Sequence, residues 1–346
     1  MNRKVCAALS GVCLAVLSSG AQARDLTVSS PGGALQDAQR EVYFVPFAKD
    51  SGVTLLEDSW TNGYGILQAK VQAGDPNWDV VQVESDELEL GCSDGIYEPI
   101  DWSLMGNEDD FIPAAVSECG VGAVVWSTVL AYDGDRFKEG PASWADFWDV
   151  EKFPGKRGMR KMVKTTMEYA LIADGVAPAD VYEVLATPEG VDRAFRKLDE
   201  LKPHIVWWDS AAQVVQWLAS GEVTMAVATN GRVEAANKAE GRNFKMIWGG
   251  SIYNVDSWVI LKGAENKDNA MKLIAYASQP ERQAQFSNTF PYGPVNLKAF
   301  DNIRPDVAAK LSSHPDNLAV AIPVGTSFWV DNVEDLTVRF NSWISR

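Results

Sequence analysis

Histidine is scarce in this sequence, and several signature motifs of enzymes are missing from it. The 346 residues include 2 histidines, which leaves few candidates for imidazole acid–base chemistry or for zinc ligation. The chain contains no Walker loop, no HExxH sequence and no CxxC pair. His204, in a Pro-His-Ile-Val stretch, is better interpreted as a packed or surface residue than as a catalyst. We therefore expect neither a resident metal ion nor a cofactor.

Positive charge is also in short supply. Lys and Arg number 31 against 47 Asp and Glu, so the formal net charge is -16. A surface of this kind repels phosphate backbones, which argues against nucleic acid as a partner. Adjacent acids such as Asp109-Asp110 and Asp86-Glu87 could serve a glycosidase. In so acidic a chain they are more simply explained as solvated surface charges.

The first 23 residues have the features of a secretory signal peptide. Arg3 and Lys4 precede an apolar run over 5–17, and Ala21-Gln22-Ala23 has the small-x-small pattern of a cleavage site. We expect cleavage after Ala23 and export from the cytoplasm. Beyond that point no run reaches the roughly 18 apolar residues typical of a membrane-spanning helix.

Two cysteines remain after removal of that segment. Cys92 and Cys119 form an even pair in an exported chain, and paired cysteines outside the cytoplasm usually form a disulfide. Two unpaired, buried thiols are the alternative. A disulfide that closes a loop of this length would stabilise the fold by about 3 kcal/mol.

Short apolar strands alternate with helical patterns along the chain. Residues 78–83 form a nearly continuous apolar run, which is typical of a strand buried on both faces. Helices are predicted over 35–51 and 191–201, and separate strands over 244–248 and 256–261. The alternation favours an α/β fold with parallel-rich sheets, and the length suggests two domains.

Six short motifs, in their order and spacing, give the chain a resemblance to a known family. Over nearly all of the sequence after Ala23, the chain resembles the periplasmic solute-binding proteins of ABC importers, specifically the spermidine/putrescine-binding type. The motifs are Trp78-Asp79-Val80-Val81, Ser143-Trp144-Ala145-Asp146-Phe147-Trp148, Phe153-Pro154-Gly155-Lys156-Arg157-Gly158, Gly221-Glu222-Val223, Asn230-Gly231 and Pro291-Tyr292-Gly293-Pro294-Val295-Asn296.

The resemblance implies a type II periplasmic-binding-protein fold, in which helices flank parallel-rich sheets and a ligand cleft separates two α/β lobes. We expect lobe 1 over 24–132 and 257–300, and lobe 2 over 133–256 and 301–346. We further expect a periplasmic monomer without catalytic activity. Such a protein closes its lobes on a small-molecule ligand and delivers the ligand to an inner-membrane ABC permease.

The resemblance also implies a ligand site. The polyamine site of the family combines aromatic walls with acids that pair with the ammonium groups, which is sound chemistry for a buried cation. By position, one family acid corresponds to Asp256, and the family aromatics are retained at Trp126 and Tyr292. The two other family acids correspond to Met162 and Thr165. The loss of the second ammonium anchor argues against spermidine and putrescine themselves.

Further candidates follow from the rule that open α/β sheets bind ligands at the carboxyl ends of their strands. Glu84-Ser85 ends one predicted strand, Asp209-Ser210 follows another, and Asn230 and Arg232 come after a third. A guanidinium such as that of Arg232 can bind a carboxylate through two hydrogen bonds. The predicted ligand-binding residues are Glu84, Ser85, Trp126, Thr165, Ser210, Asn230, Arg232, Asp256 and Tyr292.

Each of the charged candidates has a plainer interpretation. Arg232 could be a surface residue in the first turn of a helix, Asp256 a helix cap or surface acid, and Glu84 a hinge or surface acid. A basic segment is interpreted as a solvated face rather than an anion site, and it contains Lys156, Arg157, Arg160, Lys161 and Lys164.

Capture of a small amine-bearing solute is the leading functional hypothesis. The solute would be polyamine-like or an ω-amino acid such as 4-aminobutyrate, because Asp256 and Arg232 together suit a zwitterion. One alternative keeps the fold but binds a small carboxylate or another anion. A second alternative, from a different class, is an exported hydrolase.

Overall fold

The computed structural model of the protein describes residues 24–60, 63–137 and 139–346. The predicted signal peptide, residues 1–23, lies outside the described residues. None of the helices in the described ranges combines the length and the apolar character required to cross a bilayer.

Nine strands of the described chain form one continuous mixed sheet. The order is β2-β1-β3-β8-β4-β7-β5-β6, and β9 pairs with β8 at one side. The strands are β1 (Leu26–Ser30), β2 (Leu55–Ser59), β3 (Val80–Val83), β4 (Val121–Asp133), β5 (Arg157–Arg160), β6 (Ile205–Trp208), β7 (Met225–Thr229), β8 (Phe244–Ile260) and β9 (Ile322–Pro323).

Helices cover both faces of this sheet, as an α/β fold requires. They are α1 (Gly33–Gln39), α2 (Val45–Ser51), α3 (Tyr64–Gln72), α4 (Ser85–Ser93), α5 (Trp144–Trp148), α6 (Thr166–Ala173), α7 (Val181–Leu185), α8 (Pro188–Leu201), α9 (Ala211–Ser220), α10 (Asn230–Glu240), α11 (Lys267–Ala277), α12 (Pro280–Thr289), α13 (Pro305–Ala308), α14 (Pro315–Leu318) and α15 (Thr326–Ile344). A π-helical turn, Arg40–Phe44, joins α1 to α2, so the helix predicted over 35–51 is interrupted.

Strands β4 and β8 are antiparallel and occupy the middle of the sheet. The strands on either side of this pair are joined to one another mostly in parallel, with β1 beside β2 and β3, and β5 beside β6 and β7. The prediction of two strands over 244–248 and 256–261 is wrong in one respect, because β8 runs unbroken from Phe244 to Ile260. Extra residues around Gly250 are absorbed where the register against β4 shifts between Thr128 and Leu130.

Separate hydrophobic clusters lie on the two sides of the β4–β8 pair. Tyr43, Phe44 and Phe286 belong to the cluster on the β1–β3 side, whereas Trp144 and Trp329 belong to the cluster on the β5–β7 side. Two cores that share a pair of long strands are consistent with two lobes. The residue boundaries of those lobes stay a prediction.

The disulfide predicted from the cysteine count is confirmed. Cys92 in α4 is bonded to Cys119, just before β4, and their Cα atoms are 5.9 Å apart. This separation lies in the usual range for a disulfide. The bond ties α4 to the start of a central strand.

The chain is anchored at Arg24, the first described residue. The Arg24 guanidinium donates two hydrogen bonds to the buried carboxylate of Asp79, at 2.8 and 2.9 Å. Asp79 also accepts from the backbone N–H groups of Thr27 and Asn266. A fully buried carboxylate is stable only with such partners.

The interpretation of the basic segment over 156–164 as a solvated face is wrong for three of its members, Arg157, Arg160 and Lys164, whereas Lys156 and Lys161 are exposed. Arg157 is fully buried and donates to four backbone carbonyls and to Thr224 Oγ1. Lys164 is 8% exposed and forms ion pairs with Glu84 and Asp86. Because these partners satisfy the donors, both cations can be buried.

Candidate functional site

A cavity lies where β3, β5, β6 and β7 end, beside the middle parts of β4 and β8. Its volume of about 360 Å³ is within the range typical of small-molecule sites. We call its two sides the acidic wall and the basic wall. The acidic wall is built from β3, β4 and β8 and consists of Gln82, Glu84, Trp126 and Asp256. The basic wall follows β5, β6 and β7 and consists of Arg160, Trp208 and Arg232, with Asp209 beside them.

Asp256 is the central residue of the acidic wall. It is 5% exposed, and its two oxygens accept hydrogen bonds from Trp126 Nε1 and Gln82 Nε2, both at 2.7 Å. Burial raises the pKa of Asp256 to about 8, with a further contribution from the nearby carboxylate of Glu84. The two hydrogen bonds act in the opposite direction. A cation that entered the cavity would favour the ionised carboxylate, which makes Asp256 a suitable ammonium partner.

A chain of buried hydrogen bonds holds Gln82 in place behind Asp256. Ser30 Oγ donates to Gln39 Oε1, and Gln39 Nε2 donates to Gln82 Oε1, which leaves the Gln82 amide N–H groups for Asp256. All three supporting residues are at most 1% exposed. The chain fixes the orientation of the carboxylate before any ligand binds.

The basic wall presents two guanidinium groups. In the part of the chain that the structure describes, the side chains of Arg160 and Arg232 have no hydrogen-bond or ion-pair partner, and both are only partly exposed. Arg160 lies over the ring of Trp208, with 5.8 Å between its guanidinium carbon and the ring centre. Two guanidinium groups that share a cavity and have no carboxylate partner among the described residues are suited to bind an anionic group.

Tyr292 closes the cavity next to Arg232. Its pKa is raised to about 12, first because it is buried, although the charge of Arg232 acts against this. The ring lies so close to the start of α10 that a Cβ on Gly231 would be 2.4 Å from Tyr292 Cε1. Asn230 ties the same region together, since it accepts from Ser127 N–H and donates to Pro291 O. The Asn-Gly motif therefore fixes the position of Tyr292, because Gly231 leaves room for the ring and Asn230 holds the neighbouring segments together.

The structure brings together most of the predicted site residues, but not all of them. Glu84, Trp126, Arg232, Asp256 and Tyr292 line the cavity, and Thr165 lines a smaller cavity beside it. The remaining three, Ser85, Ser210 and Asn230, do not line it.

Each of these three has another position. The Ser85 hydroxyl is hydrogen bonded to Thr326 Oγ1. Ser210 is exposed at the start of α9, and Asn230 is fully buried in its structural contacts. Their proximity to the strand ends does not bring their side chains into the cavity.

Several lining residues were missed by the sequence reasoning. Gln82 is a polar residue inside an otherwise apolar strand, and that exception was the available signal. Arg160 was assigned to a solvated basic face, although it lines the cavity. Trp60 and Trp208 add aromatic surface, and no motif identified them. Among the described residues, no cluster of three or more His, Cys, Asp or Glu side chains has the geometry of a metal site.

Fold and cavity together define a protein that captures a small solute between two walls. The chain belongs to the bacterial extracellular solute-binding protein family, which matches residues 43–316. The gamma-aminobutyric acid-binding protein of Pseudomonas aeruginosa is 48% identical over 326 residues, which cover 94% of this chain and 92% of that protein.

Two further relatives bear on fold and ligand class. The solved Atu4243-GABA receptor has a TM-score of 0.84 and 34% identity, and the match covers 93% of this chain and 98% of that one. The spermidine/putrescine-binding periplasmic protein of Escherichia coli is 23% identical over 280 residues, 78% of each chain. The predicted two-lobe α/β fold and the predicted family of ABC solute-binding proteins are therefore confirmed.

Proposed function

We propose that this protein binds an ω-amino acid such as 4-aminobutyrate and delivers it to an ABC permease. The observation that carries the proposal is the opposition of charges across one cavity. Asp256 stands on the acidic wall, and Arg160 and Arg232, without ion-pair partners in the described chain, line the basic wall. A ligand with an ammonium at one end and a carboxylate at the other complements both walls.

In this proposal each wall has one task. The ligand ammonium pairs with Asp256 against the faces of Trp126 and Tyr292, where a cation gains about 0.5–2 kcal/mol from an aromatic ring. The ligand carboxylate accepts hydrogen bonds from the guanidinium groups. The name of the relative that is 48% identical supports this ligand class. Glu84 is paired with Lys164 at 3.7 Å, so it does not replace Asp256 as the ammonium partner.

We also propose the cellular setting in which this binding takes place. The protein acts as a monomer in the periplasm after cleavage behind Ala23, and it binds its ligand without converting it. Gly91-Cys92-Ser93-Asp94-Gly95 has the spacing of a hydrolase nucleophile motif. Ser93, however, ends helix α4 and follows a disulfide cysteine, whereas the hydrolase motif needs a turn from strand to helix. This position argues against the hydrolase alternative.

Calorimetry with four ligands tests the proposal. We expect 4-aminobutyrate to bind at least 100-fold more tightly than butylamine, which lacks the carboxylate, and than butyrate, which lacks the ammonium. Putrescine should also bind at least 100-fold more weakly, since its second ammonium would face the basic wall. Tighter binding of putrescine would contradict the proposal.

A small carboxylate or another anion is the second candidate. It is favoured by the guanidinium groups of Arg160 and Arg232, which have no ion-pair partner among the described residues. The butyrate measurement separates the two candidates. If butyrate binds as tightly as 4-aminobutyrate, Asp256 does not contact the ligand and the site is an anion site.

A further inference from the structure

A groove of about 940 Å³ lies next to the ligand cavity and is larger than it. One side of the groove is formed by α10 and the beginning of β8, and the other by the end of α12 and by α13. Phe290 is the one residue that lines both the groove and the ligand cavity. We call this feature the edge groove. It is not part of the site to which we assign ligand binding.

The beginning of β8 has an unpaired edge that borders this groove. The N–H of Gly134 donates to the carbonyl of Asn243 at 3.0 Å, and the register then places β4 beside Phe244 and Met246. Because bonded residues alternate in an antiparallel pair, Phe244 and Met246 direct their N–H and C=O groups away from β4. These groups are available to a further strand on the other side of β8.

The rest of that edge is already occupied by other parts of the protein. At Phe244 the side chain of Asn237 takes the place of a strand, since it accepts from the N–H at 2.8 Å and donates to the C=O at 2.9 Å. Farther along, β9 pairs with Ile252 and Tyr253. Among the described strands, only β4 pairs with Met246, which lies between these two stretches. An unpaired edge of this kind is a template for an added strand.

The edge groove is basic, although the whole chain has a net charge of -16. Two acids line it, Glu234 and Asp306, against five cations, which are Lys238, Arg242, Lys245, Arg304 and Lys310. Three of the cations have ion-pair partners: Lys310 pairs with Glu234, Arg304 with Asp306, and Arg242 with Glu240. Lys238 and Lys245 are exposed and form no ion pair within the described chain. The groove therefore has positive charge to offer to an acidic partner.

We propose that the edge groove binds an extended, acidic peptide segment of a partner protein, which adds as a strand to β8 at Met246. The segment backbone exchanges hydrogen bonds with Met246, and its carboxylates pair with Lys238 and Lys245. Its alternate side chains contact the apolar surface of Met246 and Trp248, two positions apart on β8. A second copy of this chain is a poorer occupant, because two chains with the same large net charge repel each other.

A synthetic peptide in which glutamate alternates with valine is the probe for this inference. We expect fluorescence anisotropy of the labelled peptide to show saturable binding of one peptide per chain. The same peptide with lysine in place of glutamate should bind at least tenfold more weakly. No saturable binding up to millimolar peptide, or equal binding of the lysine peptide, would overturn the inference.

A second pair of peptides tests whether the backbone takes part. The glutamate–valine peptide with a methyl group on every backbone nitrogen keeps its charges but cannot donate to a strand edge. Its affinity should fall at least tenfold. An affinity equal to that of the unmethylated peptide would show that the groove attracts any anion, and would contradict strand addition.

Variants of the protein locate the binding site. The double variant Lys238→Glu, Lys245→Glu should lower the affinity for the glutamate–valine peptide at least tenfold. Lys49→Glu, Lys272→Glu is the matched control, since these lysines are also exposed and without an ion pair in the described chain but lie outside the groove, and it should keep the wild-type affinity. Equal losses in the two double variants would overturn the inference.

Met246→Pro tests the edge itself. Proline removes an N–H that points away from β4, so no bond between β4 and β8 is lost. Peptide affinity should fall at least fivefold while 4-aminobutyrate affinity, measured on the same sample, stays as in the wild type. If this variant does not fold, the charge variants and the methylated peptide still decide the matter. A wild-type protein that light scattering shows to be a dimer, and that Lys238→Glu, Lys245→Glu makes monomeric, would instead identify a second copy as the occupant.

Discussion

Asp256 on the acidic wall and Arg232 on the basic wall differ in how firmly the protein holds them. Asp256 is 5% exposed and accepts hydrogen bonds on both oxygens, one of them from a buried relay of glutamines. Arg232 is half-buried and has no hydrogen-bond partner within the described chain. The end of the site that would take the ammonium is preorganised, whereas the end that would take the carboxylate can adapt. We therefore expect selectivity to be strict for the amine and looser for the length of the ligand.

Of the substitutions that test this contrast, Asp256→Asn should have the largest effect on ligand affinity. It removes the only strong ammonium partner that we propose, so 4-aminobutyrate affinity should fall at least about 100-fold, or about 2.8 kcal/mol. The stability of the unliganded protein should change little, because the removal of a buried carboxylate with a raised pKa is offset by the asparagine NH2 group, which would face one of the two donors, Trp126 Nε1 or Gln82 Nε2. Calorimetry and thermal unfolding measure the two quantities.

The control for Asp256→Asn is Asp192→Asn, a surface acid paired with Arg339. It should leave affinity and stability nearly unchanged. If Asp256→Asn binds 4-aminobutyrate with wild-type affinity, Asp256 does not pair with the ligand. The difference in rigidity between the two walls would then be irrelevant to binding.

Arg160→Gln and Arg232→Gln test the basic wall, which we expect to adapt to the ligand. Each should weaken 4-aminobutyrate binding about tenfold, or about 1.4 kcal/mol, because the second guanidinium can take over part of the contact. Butylamine binding should not weaken in either variant, since this ligand has no carboxylate. Arg196→Gln, an exposed arginine elsewhere, is the control. Equal losses for 4-aminobutyrate and butylamine would mean that these arginines act on the fold rather than on the ligand.

The raised pKa of Asp256 predicts that ligand affinity depends on pH. This dependence should come from Asp256 on the acidic wall and not from the arginines of the basic wall. In the free protein the pKa is about 8, and pairing with an ammonium lowers it in the complex. Below pH 8, binding should therefore release up to one proton, and affinity should fall by up to about tenfold for each pH unit below that value.

Calorimetry in buffers of different ionisation enthalpy counts the released proton. The release should disappear in Asp256→Asn and persist in Arg232→Gln. The free protein should change in the opposite sense: because the folded state holds this proton more tightly than the unfolded state, its stability should rise as the pH falls from 8 toward the unfolded value near 4.

Trp126→Phe should have the smallest effect. It keeps an aromatic face and removes one of the two hydrogen bonds to Asp256. The loss of one such bond is worth about 1 kcal/mol, so we expect a fall of about fivefold in 4-aminobutyrate affinity and an apparent pKa of Asp256 above that of the wild type. The pH profile of binding measures both. A wild-type profile would show that Gln82 alone fixes the carboxylate.

The sequence was sufficient to predict which segments of the chain reach the site. It was not sufficient to predict which side chains in those segments enter the cavity. The strand-end rule found Glu84 and Arg232, but it also selected Ser85, whose hydroxyl bonds to Thr326, and Ser210, which is exposed and does not line the cavity. A rule about segments cannot distinguish neighbours in the first turn of a helix. The cysteine pair was predictable because compartment and count sufficed.

Strand periodicity could have recovered Arg160. On β5, Arg157 and Arg160 are three residues apart and so face opposite sides of the sheet. One is buried among backbone carbonyls, and the other lines the cavity. Gln82 needed tertiary information, because only the fold reveals that Gln39 and Asp256 lie on either side of it.

The anchor formed by Arg24 on Asp79 has a practical consequence for recombinant protein. If export removes residues 1–23, as expected, Arg24 becomes the new N-terminal residue. Its partly buried guanidinium donates two hydrogen bonds to the fully buried carboxylate of Asp79. A recombinant chain that begins even one residue later would leave that buried carboxylate without its cation. Expression plasmids should therefore retain Arg24, and affinity tags are better fused behind the C-terminal helix α15 than trimmed into this end.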